Sequence, residues 1–167
     1  MGLDISAYGK LALVGIANDY DDFEERFDWE THVFVFPDDS FVEWRDGLET
    51  GAVYQFDNDN VYHFGAGSYS GYNDWRAWLC RIVLDVEPET VWGSIKAFKR
   101  APFFRLINFS DCEGIIGPKY STELAKHFAD YQSEIDAADC SQWSRELYAS
   151  FRDAFEMAAD GGLVEFH

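Results

Sequence analysis

The chain has 167 residues, of which 18% are aromatic and 26% charged, and its formal net charge is −18. This many aromatic residues can form a packed core, which argues against the disordered class that high charge alone would indicate. The acidic composition argues against a protein that grips nucleic-acid phosphates directly. No apolar run approaches the roughly 18 residues of a membrane span, so we expect no membrane partner.

The cysteines and the first residues bear on compartment and cofactors. Cys80, Cys112 and Cys140 include no C-x-x-C pair, which argues against a disulfide scaffold and a cysteine-based zinc site. The first residues lack the basic segment of a signal peptide and reach an acid at Asp4. We therefore expect a cytoplasmic protein without a metal or cofactor. The many aromatic residues fit a monomer with a large core or a homodimer.

Residues 1–64 have the composition of a β-rich segment. β-Branched and aromatic runs predict strands at residues 2–14, 32–36, 41–44, 52–56 and 61–64, separated by turns at 37–39, 46–47 and 57–60. Residues 18–30 are strongly acidic, with aromatic residues at helical spacing, so we predict a short helix or an acidic loop there. Because turns separate successive strands, the segment reads as an antiparallel meander in which residues 52–56 pair with residues 61–64.

After residue 64 the apolar period changes to that of helices. Trp75, Trp78, Leu79, Ile82 and Val83 form one apolar stripe, and a second helix is predicted over residues 87–98. Residues 103–109 are apolar and read as a strand, and residues 111–118 as a loop. Ser121 and Ser141 are plausible N-caps of two further helices.

These elements predict one α+β domain over residues 1–167. It has an N-terminal antiparallel sheet over residues 1–64, then three or four helices on one face over residues 65–160. Gly161 and Gly162 are expected to end the last helix, and residues 163–167 to add a possible final strand.

A glycine-rich segment, residues 65–71, lies between a predicted strand and a predicted helix. Glycines allow close approach of a ligand, and N–H groups at a helix start attract anions. Gly67, Ser68, Tyr69, Ser70 and Arg76 are therefore candidate ligand-binding residues. The spacing matches neither the dinucleotide fingerprint nor a phosphate loop. A turn whose tyrosines pack on the domain is the alternative.

Four residues are candidates for acid–base catalysis if the protein is an enzyme. Asp111 and Glu113 lie in a glycine-bounded segment and suit a general base. His63 adjoins the glycine-rich segment, while Glu165 and His167 would share a strand face. Convergence of His63, Glu113 and His167 would make an acid–base site. Solvated carboxylates in a capped turn are the alternative for Asp111 and Glu113.

The acidic segment of residues 18–30 is a candidate partner-binding surface. Its seven acids alternate with four aromatic residues, and such a strip can occupy the Lys/Arg array of a DNA-binding protein. A solubilising surface is the alternative, although −18 exceeds the magnitude of about 2–8 suggested for small domains. The candidate residues are Asp19, Asp21, Asp22, Glu24, Glu25, Asp28 and Glu30.

Three stretches, at residues 67–76, 109–118 and 158–167, resemble those of small proteins of phages and bacteria to which no activity is assigned. The resemblance implies a phage or prokaryotic origin. Small acidic phage proteins are often inhibitors of host defence, such as anti-CRISPR or anti-restriction proteins. By that analogy the first hypothesis is a DNA-mimic inhibitor that binds a basic nucleic-acid-handling protein. The alternative is a protein that binds a small anionic or nucleotide ligand, or a small hydrolase.

Overall fold

The computed structural model describes residues 2–37 and 41–167. Its strands are β1 (Gly2–Tyr8), β2 (Ala12–Ile16), β3 (His32–Phe34), β4 (Ala52–Gln55), β5 (Val61–Ser68), β6 (Gly114–Ile116) and β7 (Leu163–Phe166). The helices that precede β6 are α1 (Tyr20–Arg26), α2 (Tyr69–Leu84), α3 (Pro88–Gly93), α4 (Ile95–Phe98) and α5 (Phe104–Ile107). Those that follow it are α6 (Pro118–Asp130), α7 (Gln132–Ala137) and α8 (Gln142–Ala158). Short 3₁₀ turns span Val42–Arg45 and Asn58–Asn60.

The strands form two antiparallel sheets. Sheet A has the order β5-β1-β7-β6, and sheet B has the order β2-β4-β3. In sheet A, β1 is paired along both edges, with β5 on one side and β7 on the other. Since side chains alternate between the faces of a strand, each sheet presents two faces of different composition.

Helices and sheets stack in four layers because apolar side chains pack between each pair of adjacent layers. One face of sheet A, including Leu3, Ile5 and Phe166, packs against helices that include α2, α6 and α8. On its other face Tyr8, Ile115 and Leu163 pack against residues of sheet B such as Val33 and Tyr54. The far face of sheet B packs against α1, where Phe23 lies beside Phe34 and Val53. The order is therefore helices, sheet A, sheet B and α1.

This arrangement confirms the predicted α+β class with strands near the N-terminus. Strands at residues 2–14, the acidic helix and the strand near the end of the chain all occur. Residues 65–160 contain seven α-helices rather than three or four, because short helices connect the long ones. None of the helices in residues 2–37 and 41–167 has the length and apolar character needed to cross a membrane.

The predicted meander is wrong. β4 pairs with β2 and β3 in sheet B, whereas β5 pairs with β1 in sheet A. Strand composition showed which segments are extended but not which strands pair, because Tyr62 and Phe64 bury against helices far along the chain. The predicted turn at residues 37–39 includes Asp38 and Asp39, which lie outside the described residues.

The strands predicted at residues 41–44 and 103–109 are wrong too. Val42–Arg45 forms a 3₁₀ turn, in which the Trp44 indole donates to the Arg105 carbonyl at 2.7 Å. Residues 104–107 form α5, which follows a left-handed residue at Phe103 and is buried nearly all round. When every residue of a short segment is apolar, the spacing of apolar residues does not distinguish a buried helix from a strand.

Two helix boundaries also differ from the prediction, and one predicted cap is confirmed. α6 begins at Pro118, which is tolerated in the first turn, and not after Ser121. The predicted helix over residues 87–98 is divided into α3 and α4 at Ser94. The predicted cap at Ser141 is confirmed, since its hydroxyl accepts from the Ser144 N–H.

Truncation of Phe151 tests the packing of the helices on sheet A. Its ring is fully buried and contacts Phe64, Trp75 and Phe166. We expect Phe151→Ala to lower the free energy of unfolding in urea by about 3–5 kcal/mol, because a large cavity remains. The exposed control Ile95→Ala should change it by about 0.5 kcal/mol or less. A loss below about 1 kcal/mol for Phe151→Ala would contradict this packing.

Candidate functional site

A row of polar side chains crosses the face of sheet A that is turned toward sheet B. Ser6 of β1 lies directly opposite His63 of β5 and, on its other side, opposite Glu165 of β7. Residues in such register share one face and have Cβ atoms roughly 5 Å apart. Sheet B covers only the end of this face that carries Tyr8 and Leu163.

Hydrogen bonds join this row to the end of the chain. Asp4 and His167 exchange backbone hydrogen bonds of 2.9 and 3.0 Å, which continues the pairing of β1 with β7. The Ser6 hydroxyl lies 2.8 Å from His63 Nδ1 and 2.8 Å from His167 Nε2. The sequence candidates His63 and His167 therefore converge, and Ser6 connects them.

Glu165 and Tyr8 have perturbed acidities on this face. Burial raises the pKa of the Glu165 carboxyl to about 7, and no hydrogen-bond or ion-pair partner for it is found in residues 2–37 and 41–167. Burial, with a smaller effect of the Glu165 charge, raises the pKa of Tyr8 to about 12. Tyr8 is thus a neutral phenol at physiological pH, while Glu165 exchanges its proton close to neutrality.

Two cavities open on the cluster, and His167 lines both. The larger, of about 460 Å³, lies where sheet A meets the segments that follow β3. It is lined by Phe36, Arg45, Glu113, Gly114, Ile115, Glu165, Phe166 and His167. The smaller, of about 330 Å³, is lined by residues of β1 and β5, including Asp4, Ser6 and His63. Both volumes are in the range of small-molecule sites.

The candidates Asp111 and Arg76 belong to a different cluster. Asn73 donates to the Asp111 carboxylate at 2.6 Å and accepts from Arg76, whose guanidinium also donates to the Phe109 carbonyl at 2.7 Å. Arg76 is buried beside the rings of Tyr72 and Trp92. Neither Asp111 nor Arg76 lines the two cavities, whereas Glu113 lines the larger one.

The glycine-rich segment is the end of β5 and the start of α2 rather than a loop. Ser68 caps α2, its hydroxyl accepting from the Gly71 N–H, and it also bonds Ser70. Gly67 has a φ of +83°, and a Cβ there would lie 3.3 Å from the Trp143 ring. These contacts account for Gly67, Ser68 and Ser70 by local structure, and ligand binding by them or by the half-buried Tyr69 stays a prediction.

The acidic candidates divide into structural and exposed members. Asp19 caps α1, Asp28 accepts from the Glu30 N–H, and the Trp29 indole donates to Glu24 at 3.3 Å. Hydrogen bonds from Asn18 and Arg26 hold the pKa of Asp22 below its usual range. Asp21, Glu25 and Glu30 are exposed, with no side-chain hydrogen bond or ion pair in the described part of the chain.

Exposed apolar side chains adjoin these acids. Every residue of β2 except Gly15 is exposed, and among the described strands β2 lies at the edge of sheet B, beside β4. Leu13, Val14 and Ile16 are 51%, 43% and 47% exposed. Tyr20 and Trp29 are also exposed, and their rings contact each other at a tilt, with centroids 5.5 Å apart. We call β2, α1 and residues 28–30 together the acidic edge.

Ser6 and Glu165 are the site residues absent from the sequence-based set. The alternation of Asp4, Ser6 and Tyr8 with Leu3, Ile5 and Ala7 marks a polar face on β1. The sharing of a strand face by Glu165 and His167 was predicted, and it is confirmed. The pairing of β1 with strands some 60 and 160 residues away carries no local signal.

Comparisons of the chain with protein-family models, with curated proteins and with solved structures found no match.

The perturbed carboxyl of Glu165 predicts a pH dependence of stability. Its folded pKa of about 7 lies above the ordinary value, so the folded state holds the proton more tightly between pH about 4.5 and 7. The contribution of Glu165 to stability is therefore greatest at low pH, decreases as the pH rises through this range, and levels off above it.

Urea unfolding of the wild type and Glu165→Gln at pH 5, 6, 7 and 8 isolates this contribution. We expect the wild type to lose stability relative to the variant between pH 5 and 7. A constant difference across the series would show that Glu165 titrates as an ordinary carboxyl.

Proposed function

We propose that the chain acts by binding a basic surface of a nucleic-acid-handling protein, as an acidic inhibitor of the DNA-mimic type. The observation that carries this proposal is the acidic edge, where solvent-exposed carboxylates adjoin an apolar edge strand. We place this activity in the cytoplasm of a prokaryotic host, where such a partner and a phage or bacterial protein would meet.

Charge provides the long-range attraction. Asp21, Glu25 and Glu30 are exposed, and Asp22 stays ionised because Asn18 and Arg26 bond to it. In a chain of net charge −18, a partner rich in Lys and Arg is steered toward this surface, and anionic partners are repelled.

Apolar contact provides the short-range affinity. Interfaces combine aromatic and aliphatic anchors with a polar rim, and charged rims contribute more to association rate than to affinity. Val14, Ile16, Tyr20 and Trp29 supply such anchors within or beside α1 and β2. The outer edge of β2 also offers backbone groups to a partner strand. The Ile16 carbonyl is the exception, since Arg26 donates to it at 2.9 Å.

The structural roles of some acids decide which variant tests the proposal. Asp19, Asp22 and Asp28 support α1 and the following turn, so their removal would confuse folding with binding. Asp21→Asn/Glu25→Gln/Glu30→Gln removes three charges without removing a bond of the fold. The matched control is Glu89→Gln/Asp139→Asn/Glu156→Gln, which removes three exposed charges elsewhere.

The tagged wild type, triple variant and control are first used to capture proteins from a host lysate. Any candidate is then purified, and its Kd is measured by calorimetry at 50 and 300 mM NaCl. We expect wild-type binding to weaken at least tenfold at the higher salt, because exposed charges are screened. The triple variant should bind at least about tenfold more weakly than wild type, equivalent to about 1.4 kcal/mol, while the control binds almost normally.

Two further comparisons complete the experiment. Val14→Lys should weaken binding more than Ile95→Lys. Both variants add one positive charge at an exposed apolar residue, but Val14 lies on the acidic edge and Ile95 lies away from it. Duplex DNA should compete with the chain for the partner. The proposal fails if salt has no effect on Kd, or if the triple variant and its control bind equally well.

A further inference from the structure

The open half of sheet A carries a cluster that the acidic edge does not use. Ser6 is only 2% exposed, whereas His63 and His167 reach solvent on either side of it. The groups facing the cluster are Asp4 and Tyr8 on β1, Glu165 on β7, Glu113 before β6, and Arg45. A buried hydroxyl that contacts two solvent-accessible imidazoles is unusual on a surface without a function. All three groups can exchange protons with one another.

The hydroxyl of Ser6 has one proton for two imidazoles. It can donate to only one ring nitrogen, so the other imidazole must donate to Ser6. When Ser6 donates to an imidazole, two arrangements satisfy both 2.8 Å contacts, and they differ in the direction of both hydrogen bonds. A change from one arrangement to the other transfers a proton between His167 and His63 through the Ser6 hydroxyl.

Each imidazole has a second ring nitrogen that does not contact Ser6 and can bond another molecule. Ser6 contacts His167 at Nε2 and His63 at Nδ1, and in the described residues His167 Nδ1 and His63 Nε2 have no hydrogen-bond partner. His167 lines the cavity of about 460 Å³ together with the carboxyl of Glu165. This cavity is therefore lined by one residue that can accept a proton and one that can donate a proton.

We propose that this cluster is a hydrolytic site for small uncharged or cationic carboxylic esters, with His167 as general base and Glu165 as general acid. Ser6 and His63 are positioning residues that orient His167 and carry its proton away. The site goes beyond the proposed binding of a basic protein.

The reaction uses water as its only co-reactant. His167 Nδ1 takes a proton from water while the water oxygen forms a bond to the ester carbonyl carbon. The bond from that carbon to the alkoxy oxygen then breaks, and the leaving oxygen takes the proton of Glu165. Through Ser6 the proton gained by His167 passes to His63 and on to solvent, and solvent returns a proton to Glu165. The products are one carboxylic acid and one alcohol.

Charge and lining select the substrate class. Asp4 and Glu113 line the cavities in a chain of net charge −18, and Arg45 adds one positive charge to the larger cavity, so the surrounding charge is negative and disfavours an anionic substrate. Phe36, Ile115 and Phe166 give the larger cavity an apolar wall for the carbon skeleton of the ester. Burial raises the pKa of Glu165 to about 7, so much of it holds a donatable proton at neutral pH.

The test uses 4-nitrobenzyl acetate and, with the same leaving group, the anionic 4-nitrobenzyl hydrogen succinate, because a benzyl alkoxide needs the proton of Glu165 to leave. We expect the wild type to hydrolyse the acetate at least 100-fold faster than an equal concentration of imidazole, and the succinate at least tenfold more slowly than the acetate. His167→Gln and Glu165→Gln should each lower kcat/KM at least 100-fold. His32→Gln, a histidine outside the cluster, should leave it unchanged.

The pH profile and a conservative variant distinguish a role of Glu165 and Ser6 in the reaction from a role in folding. The wild-type rate should fall above pH about 7 as Glu165 loses its proton, and Glu165→Gln should lack this descending limb. Ser6→Ala should lower kcat about tenfold, and Ser6→Thr, which keeps a hydroxyl, should restore most of it. Circular dichroism and urea unfolding establish that each variant is folded.

The site proposal is overturned if the wild type is no faster than imidazole, or if His167→Gln retains the wild-type rate. It is also overturned if Glu165→Gln keeps the descending limb. The triple variant of the acidic edge should hydrolyse the acetate normally, so failure of either proposal leaves the other standing.

Discussion

The arrangement of the molecule depends on β1, which is paired on both edges by distant parts of the chain. β5 follows it by about 60 residues and β7 by about 160, and both pair antiparallel with it. Because strand side chains alternate, Leu3, Ile5 and Ala7 face the helices while Asp4, Ser6 and Tyr8 face sheet B. A shift of one residue in register would bury the polar set among aromatic rings.

The same alternation separates two surfaces with different chemistry. Sheet B covers the end of sheet A near Tyr8 and leaves the end near Ser6 open, which creates the cavities. On its far side sheet B supports α1 and hence the acidic edge. Phe36 connects the two regions, since it lines the larger cavity and stacks with Tyr20 and Trp29. In the two proposals the negative charge therefore acts at the acidic edge by attracting a basic partner and at the cavity by disfavouring anionic substrates.

Sequence patterns predicted those features that depend on neighbouring residues. The stripe from Trp75 to Leu79, the cap at Ser141 and the left-handed Gly161 all arise within a few residues of chain. The same patterns did not predict the features that depend on contacts between distant parts of the chain. β5 pairs with β1 instead of β4, and α5 is helical because its surroundings bury every side. For the site, His63 and His167 were recognisable as candidates, but Ser6 was not, since only the pairing of β5, β1 and β7 places it between them.

The most direct test of this account is whether the Ser6 hydroxyl forms hydrogen bonds with both His63 and His167. Two-dimensional ¹H–¹⁵N NMR of the histidine side chains reports the protonation of each ring nitrogen through a pH titration. The account predicts that protonation of either ring shifts the nitrogen resonances of the other, and that Ser6→Ala abolishes this coupling while the chain stays folded. Independent titration of His63 and His167 in the wild type, unchanged by Ser6→Ala, would contradict it.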